Sequence, residues 1–149
     1  MITLKKAAME DAPLLYEMQK SAFHSTYLKY RDDETSPYTE ELEKTVYRLT
    51  TRLYFIICED GFPIGGLCVK FEGEKKVVSP IFLLPEKQGK DYGAEALRLA
   101  EDQLGKTNWM LDTIAEEEKL CRFYEQNGYR RTGEARRVNE RMTLVVYEK

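Results

Sequence analysis

The stretch VVSPIFLLPEKQGKDYGAEALRLAEDQL, residues 77–104, decides the fold of this chain. It begins with an apolar run, Val77 to Leu84, which breaks at a proline and is followed by a polar loop. Apolar residues then recur every three or four positions from Gly93 to Leu104, a spacing typical of an amphipathic helix. The pattern predicts a strand, a turn and a helix. Because the first amides of a helix have no partners within it, we expect this turn to bind an anion.

Two common nucleotide-binding loops are excluded at this position. A Walker A loop requires Ser or Thr after its Gly-Lys pair, and here Gly89-Lys90 is followed by Asp91. A dinucleotide-binding fingerprint requires three glycines spaced G-x-G-x-x-G, which the loop lacks. The anion is therefore expected to belong to another class of ligand.

The loop resembles that of the GNAT N-acetyltransferases, a family that binds acetyl-CoA. The family signature is Gln/Arg-x-x-Gly-x-Gly/Ala after a strand that ends in Pro-Glu. In this chain Pro85-Glu86 leads into Gln88 to Gly93, and the one departure is Asp91 in place of the central glycine. The ordinary role of an aspartate here is to cap the following helix with its side chain, so we predict that role for Asp91.

A second segment, LCRFYEQNGY from Leu120 to Tyr129, is similar to the helix-four pattern of the same family. The tyrosine that matches is Tyr124, and the resemblance implies that it returns a proton to the CoA thiolate. A thiol with a pKa of about 8.5 leaves more easily when it is protonated. The competing interpretation is that Tyr124 packs in the core. Glu117 stands where the family has an asparagine.

The order of predicted elements, β-α-α-β-β-β-α-β-α-β-β, is that of the GNAT acyl-CoA N-acyltransferase fold. The fold class is therefore α/β (α+β), with a mixed central sheet of about seven strands flanked by about four helices, in a single domain over residues 1–149. Pro80 cannot donate to a sheet ladder, so it predicts an edge, a bulge or a splayed pair of strands. In the family fold, the strands on either side of the central helix splay apart and admit the pantetheine arm.

The first half of the chain gives less regular signals. Asp11 is predicted to open the first helix as its N-cap, and the pattern dissolves between Phe23 and Pro37. Thr39 is the predicted cap of a second helix, whose inward-facing residues would be Leu42, Val46 and Leu49.

Composition limits the class of protein. The chain has 149 residues, 42% hydrophobic and 33% charged, with a net charge of −3, which disfavours general affinity for nucleic acid. It contains no long apolar run and no signal-peptide pattern, so we expect no membrane association. Cys58, Cys68 and Cys121 are odd in number without C-x-x-C spacing, which favours reduced, buried thiols in a cytoplasmic protein. We predict no metal site.

The resemblance implies an acetyl-CoA-dependent N-acetyltransferase, in which a primary amine of a small molecule or peptide attacks the thioester directly. Tyr124 would be the catalytic residue. The expected contacts to acetyl-CoA come from the strand end and the loop: Phe82, Leu83, Leu84, Gln88, Gly89, Lys90, Asp91, Tyr92, Gly93 and Ala94.

Several points stay open from the sequence. The general base could be Glu72, Asp112, His24 or water. The acidic run Asp32, Asp33, Glu34 is predicted to be a solvated loop, with recognition of a cationic acceptor as the alternative. The acceptor and the oligomeric state, including a homodimer, are not identified. A non-catalytic acyl-CoA-binding or sensing module on the same fold is the alternative function, and a protein-interaction domain that binds no CoA is the third.

Overall fold

The computed structural model describes residues 1–149 and consists of a seven-stranded mixed sheet with helices on both faces. The strands are β1 Ile2–Lys6, β2 Leu53–Glu59, β3 Phe62–Glu72, β4 Lys75–Leu83, β5 Trp109–Ile114, β6 Arg130–Asn139 and β7 Met142–Glu148. The helices are α1 Ala12–Tyr30, α2 Leu42–Thr51, α3 Tyr92–Leu104 and α4 Glu118–Gln126. The strand order is β1-β2-β3-β4-β5-β7-β6. The predicted element order and fold class are confirmed.

The sheet is interrupted at its centre. Strands β4 and β5 form the one parallel pair, and they pair only at Lys76↔Trp109 and Val77↔Met110 although both strands continue. On the other edge of β4 the register to β3 shifts between Leu67 and Val69, opposite Pro80. A proline has no amide to donate, so the ladder cannot continue regularly through it. Of the three alternatives predicted from Pro80, the structure shows an irregular register to β3 opposite the proline and a β4–β5 pair that separates after two positions.

Each face of the sheet carries its own apolar core. Helices α3 and α4 cover one face, where Trp109, Tyr129 and Tyr147 are nearly inaccessible to solvent. Helix α1 covers the other face and packs Leu15 and Met18 against residues of β2, β3 and β4. The three cysteines are buried and unpaired, as predicted. None of the helices combines the length and apolarity needed to cross a membrane.

Helix α1 is longer than the sequence indicates. The prediction that regular structure ends at Phe23 is wrong, because the helix continues to Tyr30. Ser25 and Thr26 weaken the local helix signal, but the tertiary contacts of Tyr30, which is 4% exposed, outweigh propensity. The helix ends at Arg31, which is left-handed (φ 50°) and donates its amide to the Tyr27 carbonyl.

The start and the buried face of α2 also differ from the prediction. Thr39 lies in a short 3₁₀ turn whose cap is Ser36, and α2 begins only at Leu42. Leu42 is exposed, while Thr45 and Arg48 are buried. The predicted inward position is therefore wrong for Leu42 and confirmed for Leu49, which packs against the apolar core of that face. The inward face of α2 also contains a buried arginine, which apolar periodicity does not indicate.

Candidate active site

A cavity of about 680 Å³ lies beside the interruption between β4 and β5. Strand residues from Val78 to Leu83 and from Leu111 to Ile114 contribute to its walls. Further walls come from α1, from the segment between α1 and α2, and from the N-terminal part of α3 and α4. The cavity therefore meets both faces of the sheet at the gap between the two strands.

The loop before α3 presents free amides to this cavity. None of the six consecutive amides from Gly89 to Ala94 donates a hydrogen bond to a protein acceptor, and the first to do so is Glu95, to the Asp91 carbonyl (3.1 Å). Gly89 has φ 76°, and a Cβ there would meet no atom within 4 Å. Glycine is thus needed for backbone conformation, and the space beside it is open. The predicted anion-binding geometry is present.

Asp91 is at the N-cap position of α3, but it does not cap the helix. Its backbone is left-handed (φ 64°) and its side chain makes no capping hydrogen bond, so the predicted capping role is wrong. The left-handed conformation favours glycine, which accounts for the glycine that the family signature has here. The exposed Asp91 carboxylate lines the cavity among the free amides.

A carboxylate that sequence reasoning missed anchors this loop. Glu59, at the end of β2, accepts hydrogen bonds from Lys87 Nζ (2.6 Å) and from the Tyr92 hydroxyl. These two bonds, Lys87 first, hold the pKa of Glu59 below its ordinary value. Gln88 Nε2 also donates to the Leu83 carbonyl (3.0 Å). The loop is thereby fastened to β4 by a contact over 5 positions and to β2 by contacts over 28 and 33 positions, and no local pattern indicates the latter two.

Seven of the ten residues predicted to contact acetyl-CoA line the cavity: Phe82, Leu83, Gln88, Gly89, Asp91, Tyr92 and Gly93. Lys90, Ala94 and Leu84 do not. The Leu84 amide donates to the Ile64 carbonyl (2.8 Å), on the β3 side of the strand. Since successive residues of a strand direct their backbone groups to opposite edges, Leu83 presents its backbone to the gap.

Tyr124 is both a core residue and a wall of the cavity. It is 5% exposed and its ring packs at centroid distances of 5.0 Å from Phe123 and 5.9 Å from Tyr129. Its hydroxyl has no hydrogen-bond partner in the protein. Burial, and then the charge of Asp112, raise the pKa of Tyr124, so the phenol remains protonated at neutral pH.

Only one of the three sequence-derived base candidates lies at the cavity. Asp112, on β5, lines it. Glu72 pairs with Lys70 (2.8 Å) at the distant end of the β3–β4 hairpin, and His24 packs against the Tyr38 ring (5.1 Å). Neither contributes to the cavity wall. The geometry therefore reduces three candidates to Asp112.

The Asp112 carboxylate lies in a concave part of the surface, so it is open to the cavity while protein atoms surround it. This desolvation raises the pKa of Asp112, although the positive charge of Arg136 acts in the opposite direction. Apart from its own amide, no group of the protein is hydrogen-bonded to it. Leu111 packs in the same apolar core as Tyr124, so Asp112, the next residue on the strand, faces the opposite side of the sheet.

Apart from Asp91 and Asp112, the carboxylates of the cavity wall are paired within the protein. Glu40 binds both Nη atoms of Arg48 (2.6 and 2.8 Å), and Arg48 is 4% exposed. Asp32 is buried and accepts the amides of Glu34 (3.0 Å) and Thr35 (2.9 Å). The prediction of a solvated loop is therefore wrong for Asp32, which organises the turn after α1.

Glu117 closes one end of the cavity. It accepts hydrogen bonds from Lys29 Nζ (2.6 Å) and from the Tyr30 hydroxyl, which joins the end of α1 to the start of α4. Burial favours a raised pKa for Glu117, but the two hydrogen bonds outweigh it and lower the pKa. Glu117, which stands where the family has an asparagine, therefore makes a contact between the end of α1 and the start of α4.

Two glycines of β3, Gly65 and Gly66, allow Phe82, a residue of the cavity wall, to lie close to that strand. A Cβ at Gly66 would lie 2.6 Å from the Phe82 ring, and one at Gly65 would lie 2.1 Å from the Phe82 carbonyl oxygen. Because neither residue has a side chain, Phe82 lies directly against β3. Its ring also meets Phe23 of α1 edge-on at 6.1 Å.

Comparison with known proteins agrees with this geometry. The acetyltransferase (GNAT) family model matches residues 13–129. A search of curated protein sequences gives no match. Among solved structures, the PaiA N-acetyltransferase of Thermoplasma acidophilum, in complex with coenzyme A, superposes with a TM-score of 0.77 at 19% identity, covering 100% of this chain and 99% of that one.

Two further solved structures show the same fold. The ribosomal-protein-S18-alanine N-acetyltransferase of Escherichia coli has a TM-score of 0.78 at 15% identity, with 99% of this chain and 92% of that chain covered. YncA, a putative acetyltransferase of Salmonella typhimurium with acetyl-CoA, has a TM-score of 0.73 at 15% identity, covering 100% and 93%. A fold of this class, with a family match over most of the chain, defines an acetyltransferase. The chain belongs to the GNAT acetyltransferase family.

Proposed function

We propose that this protein transfers the acetyl group of acetyl-CoA to a primary amine, and that the amine attacks the thioester directly. The observation that carries the proposal is the position of the β4–β5 gap on the wall of one cavity, between Tyr124 and a loop of free amides of which four residues, Gly89, Asp91, Tyr92 and Gly93, line the cavity. Structures of PaiA with coenzyme A and of YncA with acetyl-CoA support the choice of donor.

The residues present fit such a donor. The free amides from Gly89 to Ala94 at the start of α3 suit a pyrophosphate, since amides and the helix dipole both attract anions. The Leu83 backbone at the gap suits the pantetheine amides. Open space beside Gly89 leaves room for the phosphates.

Asp112 and Tyr124 divide the proton transfers in this proposal. The acceptor arrives as an ammonium ion and must lose a proton before its lone pair attacks the thioester carbonyl; Asp112, directly or through one water molecule, accepts that proton. The C–N bond forms, the C–S bond breaks, and the protonated Tyr124 donates to the departing thiolate. Backbone amides that stabilise the oxyanion contribute the largest share of catalysis in acyl transfer generally.

Ligand-induced stabilisation and thiol release test the proposal together. Acetyl-CoA at 100 times its dissociation constant should stabilise the fold by about 2.7 kcal/mol, a rise in Tm of about 5–10 °C for a chain of this size. NAD and ATP, whose binding patterns the loop lacks, are the matched negative ligands. Stabilisation without thiol release against a panel of amines would indicate an acyl-CoA-binding module. No stabilisation at millimolar acetyl-CoA would exclude the acetyltransferase proposal.

A further inference from the structure

We infer that the acceptor is an amine with an apolar or aromatic body and no carboxylate beside the reacting nitrogen, so that the protein selects such amines against free α-amino acids. This inference rests on the proposed function and names the substrate class of the same cavity. It follows from the charges and aromatic rings on the part of the cavity wall that lies on the α1 side of the sheet, formed by α1, α2, the segment between them, and residues of β4, β5 and β7.

Charge on this wall is the first argument. Asp112 is its one carboxylate without a partner. Arg48 is the one cationic residue on the same wall, and both of its Nη atoms bind Glu40. An ammonium ion bound here can therefore interact with the unpaired negative charge of Asp112, whereas a bound carboxylate has no unpaired positive charge to interact with.

Arg136 does not alter this balance. Its charge favours the ionised form of Asp112, but its guanidinium pairs with Glu34 (3.3 Å) and it does not line the cavity. Lys119 is exposed and belongs to α4, on the other side of the sheet from Asp112. The cations near the cavity on the Asp112 side of the sheet, Arg48 and Arg136, are thus both paired with glutamates.

The shape and polarity of the wall provide the second argument. Phe23, Tyr27 and Tyr30 of α1 and Phe82 of β4 contribute aromatic surface to the cavity, and Met142 and Leu144 of β7 add apolar surface. Aromatic and apolar side chains bind a hydrocarbon body, and aromatic faces also attract cations. The wall therefore suits a hydrophobic amine in its ammonium form.

The size of the discrimination follows from Coulomb's law. An acceptor carboxylate held about 7 Å from Asp112 is repelled with an energy that corresponds to roughly a 3- to 50-fold loss, between water-like and surface-like effective dielectric constants. We expect about a tenfold effect on kcat/KM.

Three acceptors with the same ring test the inference: 2-phenylethylamine, L-phenylalanine and L-phenylalaninamide, measured by thiol release with acetyl-CoA. We expect 2-phenylethylamine to exceed L-phenylalanine about tenfold in kcat/KM, and the amide, which keeps the substituent without its charge, to recover most of the difference. Equal rates for the amine and the amino acid, or faster acetylation of the amino acid, would overturn the inference while the proposed function stands.

A second measurement separates the inference from the proposed function. Calorimetric titration of the CoA-bound protein with the same three compounds reports binding without turnover. Preferential binding of 2-phenylethylamine without thiol release would contradict the proposed function and would still support the selectivity of the cavity for such amines. If 2-phenylethylamine did not bind more tightly than L-phenylalanine, the inference would be overturned.

The variant Glu40→Gln tests the electrostatic origin of the selectivity without changing Asp112. It removes the charge that neutralises Arg48 and keeps the shape of the side chain, so Arg48 then offers a positive charge to the cavity. We expect the preference for amine over amino acid to fall about threefold or more. An unchanged preference in a folded variant would refute the charge argument. If the variant does not fold, the comparison of the three acceptors on the parent protein decides whether the inference stands.

Discussion

Asp112 and Tyr124 reach the same cavity from opposite faces of the sheet, Asp112 from β5 on the α1 face and Tyr124 from α4. They lie close enough for the charge of Asp112 to contribute to the raised pKa of Tyr124. A carboxylate and a protonated phenol thus flank the gap between β4 and β5. The two proton transfers of an aminolysis can occur on separate sides of one reacting centre.

Removal of the Tyr124 hydroxyl should affect turnover alone. In Tyr124→Phe the ring and its packing remain, and we expect kcat to fall roughly 10²- to 10⁴-fold, with the dissociation constant of acetyl-CoA nearly unchanged. Tyr129→Phe is the control, because Tyr129 packs against Tyr124 but does not line the cavity. A kcat that Tyr124→Phe leaves intact would assign Tyr124 to packing only.

Asp112 should be the only one of the three base candidates that matters for rate. Asp112→Asn is expected to lower kcat/KM about 10²- to 10⁴-fold, because the neutral amide cannot accept the proton of the ammonium ion. Glu72→Gln and His24→Asn change candidates that lie away from the cavity and should retain the parent rate. Steady-state kinetics with one amine distinguish the three variants. A normal rate in Asp112→Asn would require another base.

The same Asp112→Asn variant should be more stable than the parent at neutral pH. The folded-state pKa of Asp112 is raised above its ordinary 3.8, so the folded state binds the proton more tightly than the unfolded state does. Stability from this group is present below pH 3.8 and is lost as pH rises through the folded pKa. Asparagine has no such charged form, so the variant does not lose this stability. We therefore expect the Tm of Asp112→Asn to exceed that of the parent by an amount on the order of 1 °C at pH 7. Calorimetric scans should show the difference vanish towards pH 3.8; a difference that grows on acidification would contradict the argument.

The Asp91 charge should weaken acetyl-CoA binding. A carboxylate about 7 Å from two pyrophosphate charges costs on the order of 1 kcal/mol in water-like dielectric, so Asp91→Asn should tighten binding about fivefold at low salt and less at high salt. Asp91→Gly should bind equally well without loss of stability, because relief of the left-handed backbone offsets the entropy of glycine.

Calorimetric titration at two ionic strengths measures this effect. Asp102→Asn is the matched control, since it removes one acidic charge from the exposed side of α3, where Asp102 pairs with Lys106. If Asp91→Asn bound acetyl-CoA more weakly than the parent, Asp91 would be organising the loop and its charge would not be the dominant effect.

The Glu59 anchor should influence affinity more than chemistry. In Glu59→Gln the charged ties to Lys87 and Tyr92 are weakened, so the loop must be ordered when the ligand binds. We expect the KM for acetyl-CoA to rise roughly three- to tenfold with kcat little changed. Glu86→Gln makes the same charge change in the same loop and serves as the control. A drop in kcat with an unchanged KM would show that Glu59 acts on the reacting centre.

Much of the fold was predictable because its signals are local. The apolar run before Pro85, the helix from Tyr92 and the C-terminal strands each depend on nearby residues, and all are confirmed. The errors have one common cause. The extension of α1 to Tyr30 depends on Glu117, 87 residues away. The burial of Arg48 in α2 depends on Glu40, which lies outside the helix and also binds Gln19 of α1. Periodicity carries no information about such partners.

The presence of the loop and of Tyr124 on the cavity wall agrees with the sequence prediction, and other parts of the wall were less predictable. The loop and Tyr124 belong to short contiguous motifs. The choice of Asp112 over Glu72 and His24 required the alternation of β5 and the location of the cavity. Capping by Asp91 was expected because aspartate favours that position, yet the left-handed backbone leaves its side chain without a helix amide to bind.

Gly65 and Gly66 influence the size of the cavity although neither of them lines it. No acceptor would touch them, yet one methyl group at position 66 would displace the Phe82 ring towards the space that an acceptor fills. During evolution, a larger residue at position 66 can therefore narrow the cavity although the changed residue lies behind its wall. Two homologues with identical residues lining the cavity would then differ in the amines they accept, and the cause would lie one strand further back in the sheet.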